Sequence, residues 1–186
     1  MRSPLPMRRI ADLVGSPLAW AAAVALLFGV PLASGLLRGR APPPPPVLGA
    51  FPGFVLRDEQ GTPFGDRDLR GRAFVAELLC TRCTVPAALA AETMRALQRR
   101  TRSLGDALLL VSFAADADPA ALRALQGPQR DLRRVLVSGS PPGAEGLFAP
   151  EGSLLLVDAA LRIRGVYRRD DLDDLLRDAM LVVNAN

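Results

Sequence analysis

Two cysteines separated by two residues stand directly after an apolar run and directly before a helical pattern. The run is Phe74–Leu79, and Cys80 and Cys83 are the only cysteines of the 186-residue chain. A strand that passes straight into a helix places such a pair at the helix N-terminus, where backbone N–H groups and the helix dipole favour a thiolate. Arg82, between them, adds a cation that acts in the same direction. Such thiols can cycle between dithiol and disulfide, because the second resolves the mixed disulfide that the first forms.

Other interpretations of this pair are weaker. A zinc site needs about four ligands, and the chain has no histidine and no third cysteine. An inert structural disulfide is the alternative, although a bridge that closes so short a loop constrains the unfolded chain very little. The spacing therefore favours redox or soft-metal chemistry.

The distribution of charge argues against a nucleic-acid partner. The chain has 23 basic residues, all arginine, and 19 acidic residues, which gives a net charge of +4. Five arginines and one acid lie in residues 1–40, so residues 41–186 hold 18 of each. The domain beyond residue 40 thus has no basic excess with which to bind a phosphate backbone.

Residues 13–37 carry no charge and match the roughly 20 apolar residues of a membrane-spanning helix. Arg2, Arg8 and Arg9 precede them, which favours a cytoplasmic N-terminus. We therefore predict one N-terminal transmembrane helix within residues 1–40, with the rest of the chain outside the cytoplasm. A cleaved signal peptide ending near Ala33–Gly35 is the alternative. Residues 41–48 include the run Pro42–Pro46 and predict a stiff linker that holds the following domain off the membrane.

Residues 49–186 alternate between strand and helix patterns. Strands are predicted at 54–56, 62–64, 73–79, 107–113, 135–137, 154–158 and 161–167, and helices at 85–100, 118–125 and 170–183. This order describes an α/β sandwich of thioredoxin type, with a central mixed sheet flanked by helices. In that architecture the cysteine pair lies at the carboxyl edge of the sheet, where ligands and chemistry usually sit.

Several short motifs of this region, taken in their order along the chain, resemble those of SCO/SenC proteins. The resemblance runs from about Phe51 to Met180, through Phe54–Gly61 and Leu69–Arg72, Val111–Phe113 with Asp116–Pro119, and Leu154–Asp158 with Arg162–Tyr167. It implies a thioredoxin-fold protein tethered on the periplasmic side of the inner membrane. Members of that family help assemble the dinuclear copper centre of cytochrome c oxidase, by delivering copper or by reducing its cysteines. The implied partner is an extracytoplasmic protein with cysteines, such as an oxidase subunit.

Two departures from the family pattern bear on copper. The family cysteines are separated by three residues and the second is followed by proline, whereas here the spacing is two and Pro86 comes three positions after Cys83. An alternative register places Cys83 at the first family cysteine and Ala87 at the second. The family histidine that completes the copper site falls near Pro150, and this chain has none. Cys80 and Cys83 then remain as Cu(I) ligands, a role that soft sulfur suits.

Two further residues are candidates for supporting roles. Thioredoxin-fold oxidoreductases carry a cis-proline that faces the cysteine pair just before the next strand, and Pro150 stands shortly before the strand at Leu154. The alternative is a loop proline in trans. Glu77 lies three residues before Cys80 on an apolar strand. If buried, its raised pKa would suit a proton acceptor for the resolving thiol; the alternative is a carboxylate that faces an arginine or the sheet surface.

Three functions follow from these observations. The first is disulfide exchange with partner cysteines, with Cys80 as the attacking thiolate and Cys83 as the resolving thiol. The second is a Cu(I)-binding copper chaperone without turnover. The third is a degenerate, membrane-tethered interaction module that uses neither thiol.

Overall fold

The computed structural model describes residues 17–38, 42–79, 87–115, 134–150 and 152–185. The chain divides into two compact units, Met1–Pro42 and Pro43–Asn186. The first unit contains helix α1, Pro17–Arg38, whose Leu18, Trp20 and Phe28 side chains are 79 %, 62 % and 66 % exposed. Within the part of the chain that the structure describes, none of the helices combines the length and apolar character needed to cross a membrane. The predicted transmembrane helix therefore has no support from this structure.

The second unit follows the predicted order of strands and helices. Its strands are β1 Gly49–Ala50, β2 Val55–Asp58, β3 Pro63–Gly65, β4 Ala73–Leu79, β5 Leu108–Ala114, β6 Arg134–Ser138, β7 Leu154–Val157 and β8 Arg162–Tyr167. Its α-helices are α2 Asp66–Leu69, α3 Ala87–Arg100 and α4 Leu172–Asn184, and short 3-10 segments lie at Arg102–Ala107, Glu145–Phe148 and Arg169–Asp171. The pattern did not predict β1 or α2. The helix predicted at 118–125 lies outside the described residues.

The eight described strands form one mixed sheet in the order β1-β8-β7-β4-β5-β6-β2-β3. Strands β4, β5 and β6 run parallel, and β7 pairs with the other side of β4 in the antiparallel direction. The carboxyl ends of the three parallel strands and the start of β7 therefore meet at one edge of the sheet. Strand β4 ends at this edge, immediately before the cysteine pair in the sequence.

Both faces of the central strands are buried, as the continuous apolar runs of β4 and β5 predicted. On one face, Phe74 of β4 and Phe113 of β5 pack in a cluster of phenylalanine rings with Phe51, Phe54 and Phe148. The other face packs against apolar side chains of α3 and α4, among them Met94, Leu97, Leu175 and Val182. A polar side chain on this second face is thus held between the sheet and the helices, away from solvent.

The β7–β8 hairpin also holds the end of the proline-rich linker. Asp158, which is 1 % exposed, accepts hydrogen bonds from the Nε atoms of Arg162 and Arg164, each at 2.8 Å. Arg164 in turn donates through Nη1 to the carbonyl oxygen of Pro45 at 2.9 Å. The Leu48 N–H donates to Ile163 O at 2.8 Å. A buried carboxylate thus orients the arginine that fastens the linker to the edge of the sheet.

Candidate functional site

The predicted thiols follow strand β4 directly in the sequence. Strand β4 ends at Leu79 and helix α3 begins at Ala87, so the strand and helix on either side form as predicted. Cys80, Arg82 and Cys83 lie outside the described residues, and their roles stay predictions.

Glu77 is a buried residue near the end of strand β4. The residue is 1 % exposed and shares a sheet face with Val75 and Leu79, because side chains alternate along a strand. Its neighbours in register are Ser112 on β5 and Leu154 on β7. Ser112 Oγ donates to Glu77 Oε1 at 2.8 Å. The carboxyl therefore lies in the layer between sheet and helices, which meets the condition of burial for the proton-acceptor interpretation of Glu77; that role stays a prediction.

Burial raises the pKa of Glu77 from 4.5 to about 7, since the charged form loses its hydration. The Ser112 hydrogen bond and the charges of Arg134 and Arg169 act in the opposite direction. The carboxyl is therefore close to half-protonated at neutral pH, which is the condition under which a group both accepts and releases protons readily.

Arg134 and Arg169 are the residues that the sequence reasoning missed. Arg134 begins β6 and is 5 % exposed, while Arg169 follows β8. The charges of both arginines lower the pKa of Glu77. Burial lowers the pKa of Arg134, and the Glu77 charge opposes that change. The available signal was an arginine at the start of an apolar strand pattern.

Several atoms of this cluster are buried without a hydrogen-bond partner. They are Oε2 of Glu77, Nε and Nη2 of Arg134, and Nε and Nη1 of Arg169. Buried polar groups are nearly always paired, so this cluster is a candidate for a functional role.

Pro150 lies at the same edge of the sheet. Its carbonyl oxygen accepts hydrogen bonds from the Ser153 N–H at 3.1 Å and from Ser153 Oγ at 2.6 Å, just before β7 begins at Leu154, the register partner of Glu77. The Ala149–Pro150 peptide bond is cis, as the oxidoreductase interpretation of this proline requires. Whether Pro150 faces the cysteine pair concerns residues outside the described ranges.

Among the described residues, no group of three or more cysteine or acidic side chains is arranged to hold a metal ion. A copper site in this chain would depend on Cys80 and Cys83, whose thiolates have the softness that Cu(I) prefers.

The fold is of the thioredoxin-like α/β type. Solved structures similar to it include a SCO1/SenC family lipoprotein from Bacillus anthracis, with 21% identity, a TM-score of 0.62 and coverage of 72% of this chain and 95% of that one. BsSco, a member of the Sco family of cytochrome c oxidase assembly proteins, has 15% identity, a TM-score of 0.64 and coverage of 78% and 100%. Yeast Sco1 with copper bound has 16% identity, a TM-score of 0.58 and coverage of 76% and 98%. No family model matches the chain, and no curated protein matches it. The resemblance to SCO/SenC proteins is thus confirmed in the fold.

Proposed function

We propose that this protein is a SCO-like thiol protein that exchanges disulfides with a partner protein. The observation that carries the proposal is Glu77, a buried carboxyl with a pKa of about 7 placed two residues before the end of the strand that leads to Cys80 and Cys83. A group so placed can take the proton of a thiol at the pH where exchange must occur. A purely structural disulfide does not need such a proton acceptor.

In the proposed reaction the Cys80 thiolate attacks a partner disulfide, and a mixed disulfide forms as one partner thiolate leaves. Glu77 then takes the proton of the Cys83 thiol, and the Cys83 sulfur attacks the Cys80 sulfur. The second partner thiolate leaves. The chain loses two electrons and becomes a disulfide, and the partner gains them. One partner thiolate takes up the proton that Glu77 received from Cys83, and the other takes up a proton from solvent.

Trapping the mixed disulfide tests this proposal. The Cys83→Ser variant, incubated with oxidised glutathione, is expected to accumulate one glutathione on Cys80, because the resolving thiol is gone. The Cys80→Ser variant is the matched control and is expected to accumulate far less at the same pH. Equal and slow labelling of both variants would exclude an activated Cys80 and favour the interaction module.

The partner that we propose is an extracytoplasmic protein with a cysteine pair, such as a copper-binding subunit of cytochrome c oxidase. The support is the shared fold with proteins that are described as oxidase assembly factors. We further propose that the domain works on the periplasmic side of the inner membrane, where a thiol pair meets an oxidising environment. Fractionation of cells and protease treatment of intact spheroplasts check this location, and protection of the domain from protease would contradict it.

Copper delivery is the second candidate, favoured by the similar yeast structure that contains copper. Here copper would be cargo that Cys80 and Cys83 hold as Cu(I) between two thiolates. Anaerobic Cu(I) titration against a competing chelator is the test. Binding of one equivalent that the double Cys→Ser variant loses would support it, and binding that survives in that variant would exclude it.

A further inference from the structure

We propose that strand β2 carries a docking site for an extended, acidic segment of a partner protein. The segment lies as a short added strand beside Val55 and places a carboxylate near Arg57. This site shares no residue with the proposed disulfide exchange, so the two functions can be tested separately.

The hydrogen-bonded ladder between β2 and β6 ends while β2 continues. Within the described part of the chain, β2 pairs with β6 only at Arg57–Ser138 and Asp58–Val137. Val55, two residues before Arg57, pairs with β3 on its other side but has no register partner on β6. Strand β2 therefore has an open stretch inside the sheet, next to the last residue of β6.

The backbone groups of Val55 point into this open stretch. The Asp58 N–H donates to Thr62 O at 2.9 Å, on the β3 side of the strand. Phe54 O accepts from the Asp66 N–H at 3.2 Å on the same side. In an antiparallel ladder, successive residues direct their N–H and C=O groups to opposite sides, so Val55 directs its own groups away from β3. One residue of an added antiparallel strand can pair with both of them.

The chain that follows β6 turns towards the other face of the sheet. Gly139 has a φ of +103°, and its N–H donates to Ala114 O of β5 at 2.7 Å. A Cβ at Gly139 would lie 3.1 Å from Cδ2 of Leu56, which packs against the phenylalanine cluster. Because side chains alternate along a strand, Val55 and Arg57 project from the opposite face, and Val55 is 79 % exposed.

A cleft of about 340 Å³ lies beside this open stretch, lined by Val55, Leu56, Arg57, Pro63 and Ser138. Pro63 and Ser138 are the register partners of Arg57 on β3 and β6, so these three side chains project from one face. The volume is at the low end of the range for ligand sites, roughly 300–1,000 Å³. The cleft therefore suits a side chain of a docked segment better than a large cofactor.

Arg57 gives the cleft a preference for negative charge. It is the charged residue of the described lining, and its Nη1 donates to Gly61 O at 2.7 Å, which fixes the position of the guanidinium. The guanidinium carries five N–H donors, so this contact leaves donors for a carboxylate. The neighbouring acids are engaged elsewhere, since Asp58 and Glu59 accept backbone N–H groups of the hairpin turn and of β6.

The pleat of the added strand determines where its acidic residue lies. A residue opposite Val55 shares a sheet face with Val55 and Arg57, because register partners project to the same side. It is a diagonal neighbour of Arg57, at roughly 7–8 Å, a separation that long side chains bridge. The backbone groups of Val55 thus select an extended chain, and Arg57 selects a glutamate in it.

A peptide titration tests this docking site. The probe is acetyl-Thr-Val-Glu-Val-Thr-amide, added to the ¹⁵N-labelled full-length protein and followed by NMR, and we expect saturable shifts centred on the Val55 and Arg57 amides. N-methylation of the glutamate removes the N–H that pairs with Val55 O and should weaken binding roughly tenfold. N-methylation of the following valine is the matched control and should leave the dissociation constant unchanged, because that N–H points away from β2.

Variants of the protein separate the charge from the backbone contact. Arg57→Gln should weaken binding about fivefold, as an exposed ion pair allows, and Arg57→Lys should retain most of the affinity. Arg70→Gln removes a surface arginine that is 61% exposed and should bind the peptide as the wild type does. Val55→Pro removes the N–H that faces the cleft and should weaken binding roughly tenfold.

Three results would overturn the proposal. Equal binding of the two N-methylated peptides would exclude strand addition, and this comparison uses the wild-type protein, so it does not depend on the folding of a variant. Equal binding of a peptide with lysine in place of glutamate would exclude the acidic preference. Self-association of the protein that Arg57→Gln abolishes, without peptide binding, would assign the cleft to a second copy of the chain.

Discussion

Ser112 Oγ lies 2.8 Å from Glu77 Oε1, and the two residues are register partners on neighbouring parallel strands. Each residue interrupts an otherwise apolar run in the centre of the sheet. A lone glutamate there would be strongly destabilising, because an ionised carboxyl loses its hydration on burial. Ser112 supplies one hydrogen bond and two arginines supply positive charge. The Glu77 carboxyl can therefore still ionise and does not stay protonated at every pH.

The raised pKa of Glu77 makes stability depend on pH in a direction opposite to that of most carboxyls. Between 4.5 and about 7 the folded state keeps the proton that the unfolded state releases, so the free energy of unfolding falls as pH rises and levels off above the folded pKa. The total change is of the order of 3 kcal/mol. Urea unfolding of the reduced protein from pH 4.5 to 8 should show this decrease, and Glu77→Gln should remove it. The exposed Glu92→Gln is the matched control and should retain it.

Removing the Ser112 hydroxyl should weaken the folded state and shift Glu77 further towards the neutral form. Ser112→Ala leaves a buried oxygen without its donor, which costs roughly 1–3 kcal/mol. The pKa of Glu77 should rise, because the hydrogen bond that opposes the effect of burial is lost. A double-mutant cycle with Glu77→Gln checks the coupling at pH 8, where Glu77 is mostly ionised. Strictly additive losses would show that the hydrogen bond has no energetic role.

Asp158→Asn should be among the more damaging single substitutions. The Asp158 carboxylate is 1 % exposed and bound by two arginines, and breaking a buried pair from one side costs about 3 kcal/mol. Although burial opposes it, hydrogen bonds from Arg162 and Arg164 lower the Asp158 pKa below 3.8. Its contribution to stability is therefore complete above pH 3.8 and is lost as pH falls through the lowered value.

Thermal and urea unfolding at neutral pH measure this effect. The control is Asp174→Asn, which removes a surface carboxylate that is 57% exposed in its pair with Arg177 and should cost less than about 1 kcal/mol. Equal losses in the two variants would contradict a special role for the buried pair.

Arg164→Gln should release the linker without unfolding the domain. Arg162 and Arg164 both bind Asp158, but only Arg164 also donates to Pro45 O. Loss of one hydrogen bond of about 1 kcal/mol should speed hydrogen exchange of the nearby Leu48 amide by roughly fivefold. Arg162→Gln serves as the comparison and should affect that amide much less. The measurement is amide exchange by NMR or by mass spectrometry of the linker peptide.

Much of the architecture could be predicted from local pattern. The apolar runs of β4 and β5, the strands of the β7–β8 hairpin and the C-terminal helix were all predicted close to their observed bounds. The reason is that central strands covered on both faces require continuous apolar side chains, and this requirement is visible in the chain itself. Short elements such as β1 and α2 were missed, because two to four residues carry too little periodicity.

The sequence by itself determined the order of the elements, the placement of a cysteine pair after a buried strand, and the presence of one acidic residue within that strand. Only the tertiary structure decided what that acid does. Ser112, Arg134 and Arg169 are 35, 57 and 92 positions away from Glu77 along the chain, and no local pattern relates them to it. Strand pairing brings the serine into register, and the start of β6 and the segment after β8 carry the cations, since the energy of a buried charge depends on its neighbours in space.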